Sequence, residues 1–162
     1  GIEFYTFSKT FNMAGWRLAF AAGNEQMIEA LNLIQDHLFV GIFPALQEAG
    51  IAALSDPKSE EAVAQLNATY DRRRDAFVQA AAKIGWQAFP SRGSFYAWMP
   101  VPEGYTSESF ADLLLEKVHV AVAPGKGFGP AGDAYVRIGL LVEPERLVEG
   151  VNRIANLHLF NN

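Results

Sequence analysis

One long run with a single apolar face constrains the fold of this chain most. From about Glu60 to Ile84, the residues Val63, Leu66, Tyr70, Phe77 and Ala81 recur at helical spacing. The turn cluster Ser55-Asp56-Pro57-Lys58-Ser59 precedes the run, and Ser59 is placed to cap it. Gly85 follows, as expected where a helix ends in a left-handed residue. Strand-like segments lie on both sides. The pattern predicts a long helix that bridges two units.

The first unit opens with Ile2 to Phe7, which are largely β-branched or aromatic and read as a strand. A loop carrying Lys9 follows. Arg17 to Gly23 is a second short apolar run, expected as a buried strand. Asn24 reads as the cap of a helix bearing Met27, Ile28, Leu31 and Ile34 on one face. Gly41-Ile42-Phe43-Pro44 breaks that helix, and another carries Leu46, Ala49, Ile51 and Leu54. Two buried-type strands need neighbours to make a sheet, so the chain is expected to continue upstream as part of a longer one.

Beyond the long helix, Trp86–Phe89 and Ser94–Pro100 read as strands separated by Pro90 and Gly93. Thr106 or Ser107 caps a helix through Leu113, Leu114 and Lys117. Val118–Ala123 is expected as a strand ending at Pro124-Gly125, and Ala134–Leu141 as another. Pro144 opens a last helix running to Phe160, with Leu147, Val151 and Ile154 on its apolar side. The class is α/β.

The chain has 162 residues, half of them hydrophobic, enough for one core or for one small domain plus part of another. Its net charge of −5 disfavours a nucleic-acid surface, which recruits Lys and Arg. The one basic cluster, Arg72-Arg73-Arg74, is flanked by Asp71 and Asp75 and reads as a solvated helix face. Cysteine is absent, which excludes disulfides and thiolate metal sites. His37, His119 and His158 lack metal-ligand spacing, so no metal is expected. No apolar stretch reaches the roughly 20 residues of a membrane span. A cytoplasmic location is expected.

Chemistry concentrates in Thr6-Phe7-Ser8-Lys9-Thr10-Phe11-Asn12-Met13-Ala14-Gly15-Trp16-Arg17. A lysine forms a Schiff base only as the neutral amine, so its pKa of about 10.4 must fall through burial or a nearby cation. Lys9 follows an apolar strand and shares a short segment with Arg17, which leaves both routes open. Thr6 and Ser8 can donate to phosphate oxygens, and a guanidinium clamps phosphate through its planar fork. An amine beside a phosphate clamp is what pyridoxal phosphate requires. Spacing alone leaves a surface lysine in a Ser/Thr-rich loop equally open.

The segment resembles the lysine signature of the class I and II aminotransferases, pyridoxal-phosphate enzymes of fold type I. Ser8, Lys9, Asn12, Met13, Gly15, Arg17, Leu18 and Ala19 fit that signature. Thr6 departs from it, standing where the family usually has Ser or Gly, but it keeps the hydroxyl. Pro90-Ser91-Arg92-Gly93-Ser94-Phe95-Tyr96 resembles the family's Pro, Gly and Phe-Tyr strand in the small domain. Pro124-Gly125-Lys126-Gly127-Phe128-Gly129 with Gly132 and Arg137-Ile138 resembles its glycine-rich stretch ending in Arg-Ile.

The resemblance implies a division into part of the large cofactor-binding domain at 1–58, a linking helix at 59–85 and an α+β small domain at 86–162. It implies that Lys9 forms the Schiff base with pyridoxal 5'-phosphate and that Thr6, Ser8 and Arg17 hold the phosphate. It implies that Arg137 holds the substrate α-carboxylate; without it, Arg137 reads as an edge-strand salt bridge. Lys126 reads as a solvated charge. Amino acid and 2-oxo acid substrates, a homodimer and no nucleic acid or membrane partner follow. The apolar helix at 38–54 is a candidate dimer surface, and Trp16, Trp86 and Trp98 are candidates for core or interface. The partner of the pyridine nitrogen would lie upstream. A carbon–sulfur lyase on the same fold, or a piece inactive by itself, are the alternatives.

Overall fold

The structure is a computed structural model that describes residues 1–89 and 91–160. The motif residue Pro90 lies outside the described residues. The contacts divide the chain into two compact units, Gly1–Asn67 and Ala68–Asn162.

In the first unit, β1 (Ile2–Thr6) pairs antiparallel with β2 (Ala19–Gly23), from Ile2 opposite Gly23 to Thr6 opposite Ala19. Between them lie a four-residue helix, α1 (Phe7–Thr10), and a 3-10 turn at Ala14–Trp16. Lys9 therefore stands on a helical turn rather than in the expected loop. Extended Thr6 turns the chain, because its side chain accepts the Ser8 amide and starts the helix one residue after the strand. Phe7 and Leu18 are buried and join the two arms of the hairpin.

Both strands are more open than expected of buried strands, with Phe4 68% exposed. An apolar run specifies a strand, but burial needs layers over both sheet faces. The described residues of this unit supply them over only part of the ribbon. Asn24 caps α2 (Glu25–Leu38) as expected, its Oδ1 accepting the Met27 amide at 3.3 Å. Val40 and Gly41, both at positive φ, break the chain before α3 (Pro44–Ser55).

The long helix, α4, runs Lys58–Lys83. Its start is set by Asp56, whose Oδ1 accepts the Lys58 amide at 2.8 Å. Ser59, expected as the cap, lies inside the first turn and its hydroxyl donates to the Ala52 carbonyl at 3.3 Å. Asp56 precedes Pro57 and can reach the amide two residues on, so it takes the capping role first. Gly85 follows at φ 80°, as the sequence requires.

The second unit holds a three-stranded antiparallel sheet in the order β3 (Tyr96–Pro100), β5 (Tyr135–Gly139), β4 (Ala123–Pro124). Ala97, Met99, Val136 and Ile138 point into the core, while Tyr96, Trp98, Tyr135 and Arg137 alternate onto the other, half-buried face. Helices α5 (Ser107–Val118) and α6 (Pro144–Ala155) close the core with Phe110, Leu114, Leu147, Val151 and Ile154. The end of α4 adds Phe77 and Ala81. Trp86 is buried there and donates its indole N–H to the Pro100 carbonyl at 2.7 Å. Of the other tryptophans, Trp16 is exposed and Trp98 half-buried.

Strand and helix boundaries differ most from expectation at three places. Val118–Ala123 yields only Ala123–Pro124 as strand, because His119 takes a left-handed φ of 57° and Val120 donates its amide back to Leu114. Those groups finish α5 and are lost to a ladder. Trp86–Phe89 contributes only the bridge Phe89 to Trp98. The last helix stops at Ala155, and Phe160 instead stacks on Trp86 with ring centres 5.0 Å apart. Among the described residues, no helix is long and apolar enough to cross a membrane.

Candidate functional site

Thr6, Ser8, Lys9 and Arg17 all lie in the first unit, on the connection between β1 and β2. Thr6 Oγ1 accepts the Ser8 amide at 3.1 Å and donates to Ser8 Oγ at 2.9 Å. The two hydroxyls are thus neighbours at the start of α1. The Phe7 ring anchors this helix from below. It is buried, lies 5.5 Å from the Phe11 ring and 5.8 Å from the Phe20 ring, and its amide donates to Leu18. Gly50 of α3 gives the anchor room, since a Cβ there would stand 2.8 Å from Leu18 Cδ2.

Lys9 is exposed in this unit. Arg17 is exposed as well, and adopts the left-handed conformation at φ 52°. That conformation costs a non-glycine residue about 1 kcal/mol. Arg17 Nη1 donates to the Ala14 carbonyl at 3.1 Å, which closes the turn and fixes the arginine beside its own backbone.

Arg137 belongs to the second unit. It lies on the central strand β5, opposite Trp98 of β3 and Ala123 of β4. The edge-strand salt bridge is therefore excluded: β5 is no edge, and among the described residues Arg137 forms no ion pair. Two aromatic rings take the place of a counter-ion. Its guanidinium carbon stands 4.1 Å from the centre of the Tyr96 ring and 4.1 Å from that of Phe128.

Phe128 is carried by the glycine-rich stretch. Gly125–Phe128 and Pro130–Ala134 form two 3-10 turns packed back to back. A Cβ on Gly125 or Gly132 would overlap the other's carbonyl oxygen, which is why glycine stands at both. Ser107, fully buried at the start of α5, ties the turns together. Its hydroxyl donates to Asp133 Oδ1 at 2.8 Å and accepts the Lys126 amide at 3.3 Å. Lys126, expected as a solvated charge, is exposed but paired with Glu108 at 2.8 Å. The Glu108 carboxylate raises the Lys126 pKa, chiefly through that hydrogen bond.

Tyr96, Phe128 and Asp133 carried no role in the sequence reading, and Ser107 entered it only as a candidate helix cap, a place that Thr106 takes. Tyr96 and Phe128 lie inside the motifs, but their convergence on Arg137 depends on the pairing of β3 with β5. Ser107 and Asp133 are 26 residues apart, and nothing local links them.

The family model "Aminotransferase class I and II" matches residues 1–154. The chain is 58% identical over 160 residues to L-glutamine--4-(methylsulfanyl)-2-oxobutanoate aminotransferase of Bacillus subtilis, covering 99% of this chain and 40% of that protein. It is 46% identical over 156 residues to LL-diaminopimelate aminotransferase of Dehalococcoides mccartyi, covering 96% of this chain and 40% of that protein. The solved structure of apo-BacF from Bacillus subtilis superposes with a TM-score of 0.92 at 47% identity, over all of this chain and 42% of that one. The chain thus spans about 40% of the length of the curated relatives it matches. The expected class, α/β and part of the fold type I scaffold, agrees with these neighbours. By the match over 154 of its 162 residues, the chain belongs to the class I and II aminotransferases.

Proposed function

We propose that this chain supplies the lysine, the phosphate-holding groups and the carboxylate-holding arginine of a pyridoxal-phosphate enzyme. That enzyme moves an amino group between an amino acid and a 2-oxo acid. The observation that carries the reading is the Thr6–Arg17 connection, with the Thr6 and Ser8 hydroxyls, an amine and a guanidinium on one segment pinned by Phe7. The donor set fits the cofactor: hydroxyls and a guanidinium suit phosphate oxygens, and a primary amine suits an aldehyde. In this reading Thr6, Ser8 and Arg17 hold the phosphate and Lys9 is the covalent anchor. When bound, the cofactor supplies an electron sink for the substrate α-carbon.

Each residue then has a task of its own. Arg137 takes the substrate carboxylate through two parallel hydrogen bonds, which sets the orientation of the α-carbon. With the cofactor held, the free Lys9 amine would take up the substrate α-proton as general base and would give it back as general acid. Exposed Leu38 at the end of α2, with Phe39, Val40 and Phe43 between α2 and α3, supports assembly with a second copy of the chain. The division at 1–58, 59–85 and 86–162 and a cytoplasmic setting belong to the same proposal.

A panel of amino acids offered with a 2-oxo acid acceptor tests the reaction. The proposal expects a new amino acid to form in step with a new 2-oxo acid, with neither ammonia nor sulfide released. Release of ammonia or sulfide without amino transfer would replace it with a lyase.

A further inference from the structure

The Arg137 guanidinium carbon lies 4.1 Å from the centres of two aromatic rings, and the way it is held bears on how a carboxylate is received. We propose that Tyr96 and Phe128 are positioning residues for the carboxylate-binding step, clamping the Arg137 guanidinium in one plane. The inference rests on the reading of Arg137 as the carboxylate holder.

A guanidinium is flat, and all its N–H donors lie in its plane. Two rings, each with its centre 4.1 Å from the guanidinium carbon, restrict how that group can turn. A carboxylate makes its two parallel hydrogen bonds with the N–H donors in the guanidinium plane. Aromatic faces also stabilise the cation without consuming any N–H donor. A carboxylate in their place would stabilise the charge equally well but would occupy the fork. Among the described residues no ion pair does so at Arg137.

The clamp is itself supported. Tyr96 is set by β3, in register with Gly139 of β5. Phe128 stands edge-on to Trp98, with ring centres 5.8 Å apart, and Trp98 stacks on Tyr135 at 5.6 Å. The turn bearing Phe128 is fixed by the Gly125 and Gly132 contact and by Ser107. Removing either ring would leave the charge of Arg137 in place and free its plane to rotate. The loss should fall on carboxylate recognition and spare cofactor binding, which the proposed function assigns to the other unit.

The test uses propanoate, a carboxylate without an amino group, as a competitor of the amino acid substrate in the cofactor-loaded protein. Phe128→Leu and Tyr96→Leu are each expected to weaken propanoate about tenfold, with unchanged affinity for pyridoxal phosphate. Phe128→Tyr and Tyr96→Phe, which keep the rings, are expected to restore propanoate binding to within about twofold. Arg137→Gln sets the scale. If Arg137→Gln leaves propanoate binding intact, the reading of Arg137 itself fails. If Arg137→Gln weakens it but both leucine variants bind propanoate normally, the clamp is wrong while that reading stands. Should Tyr96→Leu fail to fold, Phe128→Leu decides alone, because Phe128 is 52% exposed and tolerates replacement.

Discussion

Thr6 and Ser8 share a hydrogen bond at 2.9 Å, while Thr6 Oγ1 also accepts the Ser8 amide. One threonine thereby ends β1, starts α1 and sets the first of the proposed phosphate donors. Replacing it by alanine removes the cap and the donor together. A capping hydroxyl contributes about 1 kcal/mol. Thr6→Ala is expected to weaken pyridoxal phosphate binding about five- to tenfold, and Thr6→Ser to restore it, by equilibrium dialysis. Equal affinity in both variants would remove Thr6 from the site.

The glycine pair behind Phe128 makes a sharper claim about stability. Gly132→Ala would drive a methyl group into the backbone oxygen of Gly125, where no side chain can step aside. An expected loss of about 3 kcal/mol follows, at the upper end for an overpacked site. It should appear in denaturant melts, together with a changed Trp98 fluorescence, since Phe128 abuts that indole.

Ser107 predicts a loss of a different kind. It is fully buried, and its hydroxyl serves Asp133 and the Lys126 amide at once. Ser107→Ala leaves both without that partner, at a cost of about 1–3 kcal/mol. Ser107→Thr, which keeps the hydroxyl, should lose less if the extra methyl is accommodated. A denaturation series on the two variants separates hydrogen bonding from packing.

The surface of α6 gives a pH signature. Glu149 accepts hydrogen bonds from Arg146, at 2.6 Å, and from Arg153, and these hold its pKa below the usual carboxylate value. A carboxyl depressed in the folded state stabilises above its unfolded pKa of about 4.3 and loses that contribution as pH falls through the folded value. Glu149→Gln should therefore lower the melting temperature slightly at pH 7 and leave it unchanged near pH 2. A difference that persists at pH 2 would assign the effect to packing.

Features whose signals are local were legible in the sequence. Asn24, Gly85 and Pro144 each mark a helix end through the conformation of one residue, and each stands where expected. The Lys9 segment could be proposed as a site because amine, hydroxyls and guanidinium lie within twelve residues. Val118–Ala123 misled because β-branched residues at a helix exit look like a strand, while the left-handed turn at His119 is invisible in composition. The aromatic clamp was hidden for another reason. Tyr96, Phe128 and Arg137 meet only after β3 and β5 have paired and the glycine turns have folded, and no sequence period encodes that meeting.

The central claim is that Lys9 carries the cofactor, and one measurement addresses it directly. The protein bearing this chain is incubated with pyridoxal phosphate, reduced with borohydride and digested. Mass spectrometry should find the reduced pyridoxyl phosphate group on the peptide containing Lys9, and Lys9→Ala should abolish it. An adduct on another lysine, or one that survives Lys9→Ala undiminished, would contradict the account.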